Sequence, residues 1–273
     1  MLLFDRIIFW QSKKTNGKLR SFLAKMYLFY VKTRNYLVYK DKDMFSFVNI
    51  ELSRKCNRSC SYCPISKYPE FKKDEVMAFE DYKIIIDQLS EIGYSANICF
   101  TGYYEPLFKD DIIKFIDYAR EKVRKSKIII YTNGDFLDEE KYKELKKRDV
   151  LLITSLHDDN DGKNYRRILD ITKGKNIVFK SNMEDYIMST RGGLIDIKNK
   201  EVKNLCIFPS IQLTVDVSGD VILCFDDFFS KHAFGNVKEE KLIDIWKSED
   251  FKKVRNSILK GESEKDICKS CFS

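Results

Sequence analysis

Three thiols, Cys56, Cys60 and Cys63, fall within eight residues at Cx3Cx2C spacing. Cysteines this close cannot sensibly pair with one another, and an odd number leaves one over. Soft thiolates crowded into one loop suit zinc or an iron–sulfur cluster. In a four-iron cube, three ligands leave one iron without a protein donor, and at that open corner a small molecule can bind and react. With zinc, the same stretch is half of a structural knuckle. Of the other cysteines, Cys99 lies inside an apolar run and reads as a buried structural thiol. Cys206, Cys224, Cys268 and Cys271 gather toward the C-terminus.

The elements that must position these thiols follow from periodicity. Residues 47–52 alternate and read as a strand leading directly into the cysteine loop. Further strands are expected at 96–101, 127–131, 150–155 and 176–180, with helices near 79–92, 109–125, 138–148 and 163–172. The first of these helices carries Ile84, Ile85, Leu89 and Ile92 on its apolar side. This β–α alternation predicts a parallel sheet with helices outside and right-handed connections. Reactive groups then belong at the C-terminal ends of the strands. A sixth strand is expected within 183–197 or is absent. Residues 211–217 and 221–225 alternate around Ser218-Gly219-Asp220 and read as a hairpin.

A Cx3Cx2C run directly after a first strand, with the aromatic Tyr62 before its last cysteine, resembles the radical S-adenosylmethionine (radical SAM) enzymes. Two further stretches are similar to that family. Thr101-Gly102-Tyr103-Tyr104-Glu105-Pro106 resembles its GGE stretch, with Tyr103 and Tyr104 standing where small residues are common. Tyr131-Thr132-Asn133-Gly134 resembles its TNG loop. The resemblance implies an α/β fold, a partial (β/α)6 TIM-like barrel over residues 46–197. It implies that Cys56, Cys60 and Cys63 hold a 4Fe-4S cluster whose open iron is chelated by SAM. It places Gly102 and Glu105 at the methionine amino group, Thr132 and Asn133 near the ribose, and Tyr62 on the adenine. Arg191, in Arg191-Gly192-Gly193, could hold the SAM carboxylate or a substrate phosphate; a plain glycine turn is the alternative. In the family, reduction splits SAM into methionine and a 5′-deoxyadenosyl radical that takes a hydrogen atom from the substrate.

The C-terminal pattern Cx12Gx4C with a late CxxC resembles the SPASM/twitch domain appended to many radical SAM enzymes. Phe234-Gly235-Asn236-Val237 and the Leu242…Trp246 segment agree with it. The resemblance implies a small domain over 198–273, a β-hairpin plus helix, in which Cys206, Cys224, Cys268 and Cys271 close a second, auxiliary 4Fe-4S cluster. Four thiols and no more fit the shorter twitch version. A cluster ligated at every iron has no corner for substrate and suits electron transfer. A substrate radical that loses one more electron is oxidised, for example from alcohol to ketone, as in the twitch-bearing aminocyclitol dehydrogenases. His157, at the end of the fourth strand, is the first candidate for the proton acceptor, with only His232 competing by type. Tyr103, Tyr104 and Asp226 stand behind it.

Composition bounds the rest. With 273 residues, 44% hydrophobic and 33% charged, the chain fits one large globular domain and a small one. No run of about 20 apolar residues is present, so no transmembrane span is expected. The clustered cysteines point to metal in a reducing compartment, hence the cytoplasm, and residues 1–10 do not read as a signal peptide. Residues 6–40 hold nine cations and no Asp or Glu, whereas the remainder is nearly balanced. With their many aromatics, residues 1–45 are expected to form a basic helical arm. It either docks on an anionic membrane face or acidic partner, or packs its aromatic side on the main domain. No base-reading motif is present, so nucleic acid is not expected. The leading function is a radical SAM oxidoreductase acting on a small hydroxylated, sugar-like metabolite and fed by an external donor such as flavodoxin or ferredoxin. A peptide-modifying maturase and a non-enzymatic zinc-binding protein are the alternatives.

Overall fold

The structure, a computed structural model, describes residues 17–71, 73–157, 162–175, 177–181, 190–196 and 205–272. Among the described residues, helix α1 (Gly17–Tyr39) precedes the strand β1 (Phe47–Ile50). The chain then alternates through α2 (Pro64–Lys67), α3 (Phe79–Glu91), β2 (Asn97–Phe100), α4 (Ile112–Lys122), β3 (Lys127–Thr132), α5 (Glu139–Lys147), β4 (Val150–His157), α6 (Lys163–Thr172) and β5 (Ile177–Ser181). The C-terminal part adds α7 (Phe208–Ile211), β6 (Gln212–Val215), β7 (Asp220–Ile222), β8 (Ala233–Asn236), α8 (Leu242–Lys247), α9 (Glu249–Lys260) and α10 (Asp266–Phe272).

All eight strands join one open sheet in the order β5-β4-β3-β2-β1-β6-β7-β8. β1 to β5 are parallel neighbours, and β6 pairs parallel with the free side of β1, setting Phe47 opposite Gln212 and Ile50 opposite Val215. Of the stretch 183–197 expected to hold a sixth strand, only 190–196 is among the described residues. Residues 190–195 form a turn, and the sixth parallel strand is the first arm of the hairpin, inserted beside β1. Residues 182–189 and 197–204 lie outside the described residues. β6 then turns through Asp216–Gly219 into antiparallel β7. Gly219 sits at φ +91°, where a side chain would be strained. The sheet therefore runs without a break from the first cysteine loop into the C-terminal part.

The strands at the centre of the sheet are short and largely buried, as parallel strands inside a sheet are. Every residue of β2 and of β6 is buried. α3 lays Tyr82, Ile85, Ile86 and Leu89 on the sheet, and α4 lays Ile112, Phe115, Ile116 and Ala119 beside them. The Tyr82 hydroxyl donates to the Phe115 carbonyl at 2.9 Å, so the one polar tip in this layer is satisfied. On the other flank Trp246 is fully buried, edge-on to Phe45, with the Arg255 guanidinium 3.8 Å over its ring. Each such side chain contributes roughly 1.5–3 kcal/mol of burial. Cys99 is buried with Ile129 and Ile153, as expected of a structural thiol.

Candidate active site

The C-terminal ends of β1, β2 and β3 carry the polar groups, and their loops are tied together by side chains. After β1 the chain enters the loop 53–63 with its three thiols, all half-buried. Between Cys56 and Cys60 stand Asn57 and Arg58, both bonded to the loop after β3. Arg58 grips Asp135 with two parallel bonds, Nε at 2.6 Å and Nη2 at 2.7 Å. Asn57 donates to the same carboxylate at 2.7 Å and accepts from the Asn133 amide at 2.8 Å. Bidentate arginine–carboxylate pairs fix orientation as well as distance. Arg58 accordingly holds the Asp135 carboxyl below the usual range.

Glu105 performs the same task between β2 and β3. It is buried and accepts from Thr132 Oγ1 at 2.6 Å, Asn133 N at 2.7 Å and Leu107 N at 3.0 Å. Burial pushes its carboxyl up, against these three donors. Its protein contacts therefore tie the β2 loop to Thr132-Asn133. Gly102 is at φ +145°, and a Cβ there would collide with the Glu51 carboxylate. Glu51 in turn accepts from the Tyr103 amide at 3.0 Å and pairs with buried Arg54 at 2.9 Å. Arg54 lies 5.2 Å over the Phe228 ring.

The fourth centre lies between the two groups of cysteines. The Tyr103 hydroxyl donates to Asp226 Oδ1 at 3.4 Å, and Arg191 Nη1 reaches the same oxygen at 3.5 Å. Tyr103 and Asp226 are buried. Burial, then the Asp226 charge, pushes the Tyr103 hydroxyl well up. Burial opposes the Arg191 charge, but Tyr103, Asp226 and Cys63 outweigh it and raise its pKa. The turn that carries Arg191 touches both cysteine-bearing ends of the chain. Lys67 of α2 donates to the Leu194 carbonyl at 3.1 Å, and Thr190 Oγ1 donates to the Ser270 carbonyl of α10 at 3.2 Å. A Cβ on Gly193 would stand 2.7 Å from Ser270 Oγ, so this close approach requires glycine.

Cys206, Cys224, Cys268 and Cys271 come from three separate segments and line one small cavity of about 20 Å³, with Phe208, Asp226 and Ile267 among its walls. Among the described residues no Lys or Arg lines it. Burial pushes the Cys224 thiol well up, and burial likewise takes Cys56 to about 11. Thiols so placed stay protonated in the absence of a metal and release their protons to solvent when a metal binds the sulfur. Among the described residues no group of three or more His, Cys, Asp or Glu closes on a single ion. A cube, with irons at separate corners, takes its thiols from further apart. Both donor sets thus fit iron–sulfur clusters.

The remaining expected site residues fall elsewhere. Tyr104 is in the core, its hydroxyl donating to the Ile50 carbonyl at 3.0 Å, which gives it a structural role. Tyr62 is buried beside the third cysteine. His157 ends β4, opposite Ser181 of β5 and three strands from β1. Sequence reading did not single out Arg58, Glu51 or Arg54. An arginine and an asparagine between two ligand cysteines were the available signal, but the partner at Asp135 is set by tertiary structure.

These features define the class, and family comparison agrees. The chain belongs to the radical SAM superfamily, whose model matches residues 50–187, and the SPASM iron-sulfur cluster-binding domain matches residues 206–272. It is a radical SAM enzyme using S-adenosylmethionine and 4Fe-4S clusters, which sets aside the non-enzymatic zinc alternative. Among individual proteins, it is similar to the S-adenosyl-L-methionine-dependent 2-deoxy-scyllo-inosamine dehydrogenase of Niallia circulans. The two are 33% identical over 233 residues, 84% of this chain and 93% of that protein. The crystal structure of BtrN in complex with AdoMet and 2-DOIA matches with a TM-score of 0.74 and 31% identity, over 83% of this chain and 92% of that one. Streptococcus suis SuiB bound to S-adenosylmethionine matches with a TM-score of 0.58 at 16% identity, over 82% and 71%, a likeness of fold alone. Among the described residues no helix is long and apolar enough to cross a membrane.

Proposed function

We propose that this chain dehydrogenates a small polyhydroxylated or aminocyclitol substrate, turning a secondary alcohol into a ketone. The observation that supports this best is the match to a 2-deoxy-scyllo-inosamine dehydrogenase over 84% of this chain and 93% of that protein. In this reading residues 46–197 carry the SAM half, with Cys56, Cys60 and Cys63 as ligands of the first cluster. Residues 198–273 carry the auxiliary half, with Cys206, Cys224, Cys268 and Cys271 closing the second. Gly102, Glu105, Thr132, Asn133 and Tyr62 shape the SAM site, the carboxylate of Glu105 holding two of its loops in register.

Oxidation of the alcohol needs three losses: a hydrogen atom from carbon, a proton from oxygen and one electron. When bound, SAM at Cys56, Cys60 and Cys63 would supply the hydrogen-atom chemistry, and a cluster at Cys206, Cys224, Cys268 and Cys271 would supply an electron acceptor. The protein supplies the proton acceptor and the orientation. Asp226 is the better-placed base, because it lines the second cavity and meets Tyr103 and Arg191 at one oxygen. Tyr103 and Arg191 orient a substrate hydroxyl toward it. His157 is the alternative base on β4.

The reducing electron comes from an external donor such as a flavodoxin or ferredoxin, and residues 6–40 make a peripheral membrane contact. The peptide-modifying alternative gains no specific observation, since the likeness to SuiB is one of fold. The test is anaerobic incubation of the reconstituted protein with SAM, dithionite and 2-deoxy-scyllo-inosamine or related aminocyclitols. The expected result is substrate-dependent 5′-deoxyadenosine with ketone formed in equal amount. 5′-Deoxyadenosine released at the same rate with and without every such alcohol would overturn the reading.

A further inference from the structure

The helix α1 has two apolar faces, and the sheet uses only one. Tyr27 and Val31 are buried against Ile207 and Ile211, and Asn35 donates to the Met44 carbonyl beside them. Tyr39 closes the packed end, its hydroxyl accepting from Ser95 N at 2.9 Å and its ring stacked on Tyr94. On the far side Phe22, Met26, Phe29 and Tyr36 recur at spacings of four, three and seven, which is one stripe of a helix. Tyr30 and Leu37 widen it. All six are exposed, Phe29 by 70% and Leu37 by 66%. Among the described residues nothing packs over this stripe, on a helix fixed along its opposite face.

The charges around the stripe select what covers it. At 3.6 residues per turn, Lys25 and Lys32 border one edge and Arg34 the other. Residues 6–40 contain no acid. The acids just beyond the helix are engaged by the body, Asp41 with Lys247 at 2.6 Å and Asp43 with Arg255 at 3.0 Å. A second copy of α1 would bring cation to cation with no acid to pair. Residues 6–16, which add Arg6, Lys13 and Lys14, carry the same sign. Aromatic and aliphatic side chains bordered by Lys and Arg match the boundary of an anionic bilayer, where rings sit at headgroup depth and cations meet phosphates.

We propose that α1 lies in the plane of an anionic membrane, with Phe22, Met26, Phe29, Tyr30, Tyr36 and Leu37 inserted and Lys25, Lys32 and Arg34 at the phosphates. This rests on the peripheral contact read for residues 6–40 and is independent of the substrate and the reaction. The enzyme is held at the lipid surface through a face opposite the one that packs on the sheet.

The test is co-sedimentation of the full-length, cluster-loaded protein with vesicles of phosphatidylcholine alone or with about one-third phosphatidylglycerol. The account expects at least roughly tenfold tighter binding to the anionic vesicles, weakened in about 0.5 M salt. The double variant Phe29→Asp, Leu37→Asp changes only exposed positions and should lower that binding about tenfold or more. Its 5′-deoxyadenosine formation with substrate should remain that of the parent, which reports intact folding. Equal binding to neutral and anionic vesicles, or unchanged binding by the variant, overturns the proposal. So does a dimer that the variant converts to monomer while vesicle binding is absent, which would assign the stripe to a second copy. Retention of a flavodoxin-type acidic protein by the parent but not the variant, again without vesicle binding, overturns it in favour of a protein partner. Loss of turnover with vesicle binding intact would count against the proposed reaction and leave the membrane contact standing.

Discussion

The two cysteine sets are built in opposite ways. Cys56, Cys60 and Cys63 are neighbours in the chain, on a loop whose shape is imposed from outside by Arg58–Asp135 and Asn57–Asn133. Cys206, Cys224 and the Cys268/Cys271 pair are far apart in the chain and meet only because the hairpin and α10 fold onto one cavity. The first set has polar scaffolding and three donors; the second has apolar walls and four. A site that must admit and orient a cosubstrate needs an open corner and rigid polar loops. A site that only passes electrons does best sealed. Asp226 lines the second cavity and meets Tyr103 and Arg191 at one oxygen, the place proposed above for the substrate.

Several substitutions would break or sharpen this contrast. Asp226→Asn removes the proposed base between the two sets. Ketone formation should fall by roughly 10²–10⁴-fold while 5′-deoxyadenosine is still released, read by mass spectrometry of both products. Arg58→Ala unties the first loop from Asp135. SAM cleavage should fall about ten- to a hundredfold, with the auxiliary cluster's spectrum unchanged and Arg58→Lys restoring part of the loss. Gly193→Ala pushes a methyl group toward Ser270 at φ +87°. It should cost about 1–3 kcal/mol and appear as iron lost from the second cluster before the first, followed by iron release on mild heating. Tyr104→Phe removes only the bond to the Ile50 carbonyl. It should lower stability by about 1 kcal/mol in denaturant unfolding and leave both products unchanged.

The same contrast explains what could be read from the sequence. The first set is legible because all its ligands and the strand before them lie within one short stretch, and alternation exposed β1 to β5 to within a residue or two. The position of β6 was not legible. Gln212–Val215 alternates as any hairpin arm does, and its parallel pairing with β1 joins residues about 160 apart through contacts that no local pattern encodes. The meeting of Tyr103, Arg191 and Asp226 is hidden for the same reason. Each was singled out separately, but the long loop after β7 had to fold back before they shared an oxygen. Tyr104, beside Tyr103 in the chain, points into the core because successive residues leave the backbone in different directions. Arg58 was not singled out, because its partner Asp135 lies 77 residues away in sequence and is brought to it only by the fold.

The division of labour between the sets is tested most directly by measuring 5′-deoxyadenosine and ketone side by side in Cys60→Ala and Cys268→Ala. The account predicts that Cys60→Ala loses both products. Cys268→Ala should keep most of its SAM cleavage and lose the ketone. Equal loss of 5′-deoxyadenosine in the two variants, or ketone formed at the parental rate by Cys268→Ala, would contradict it.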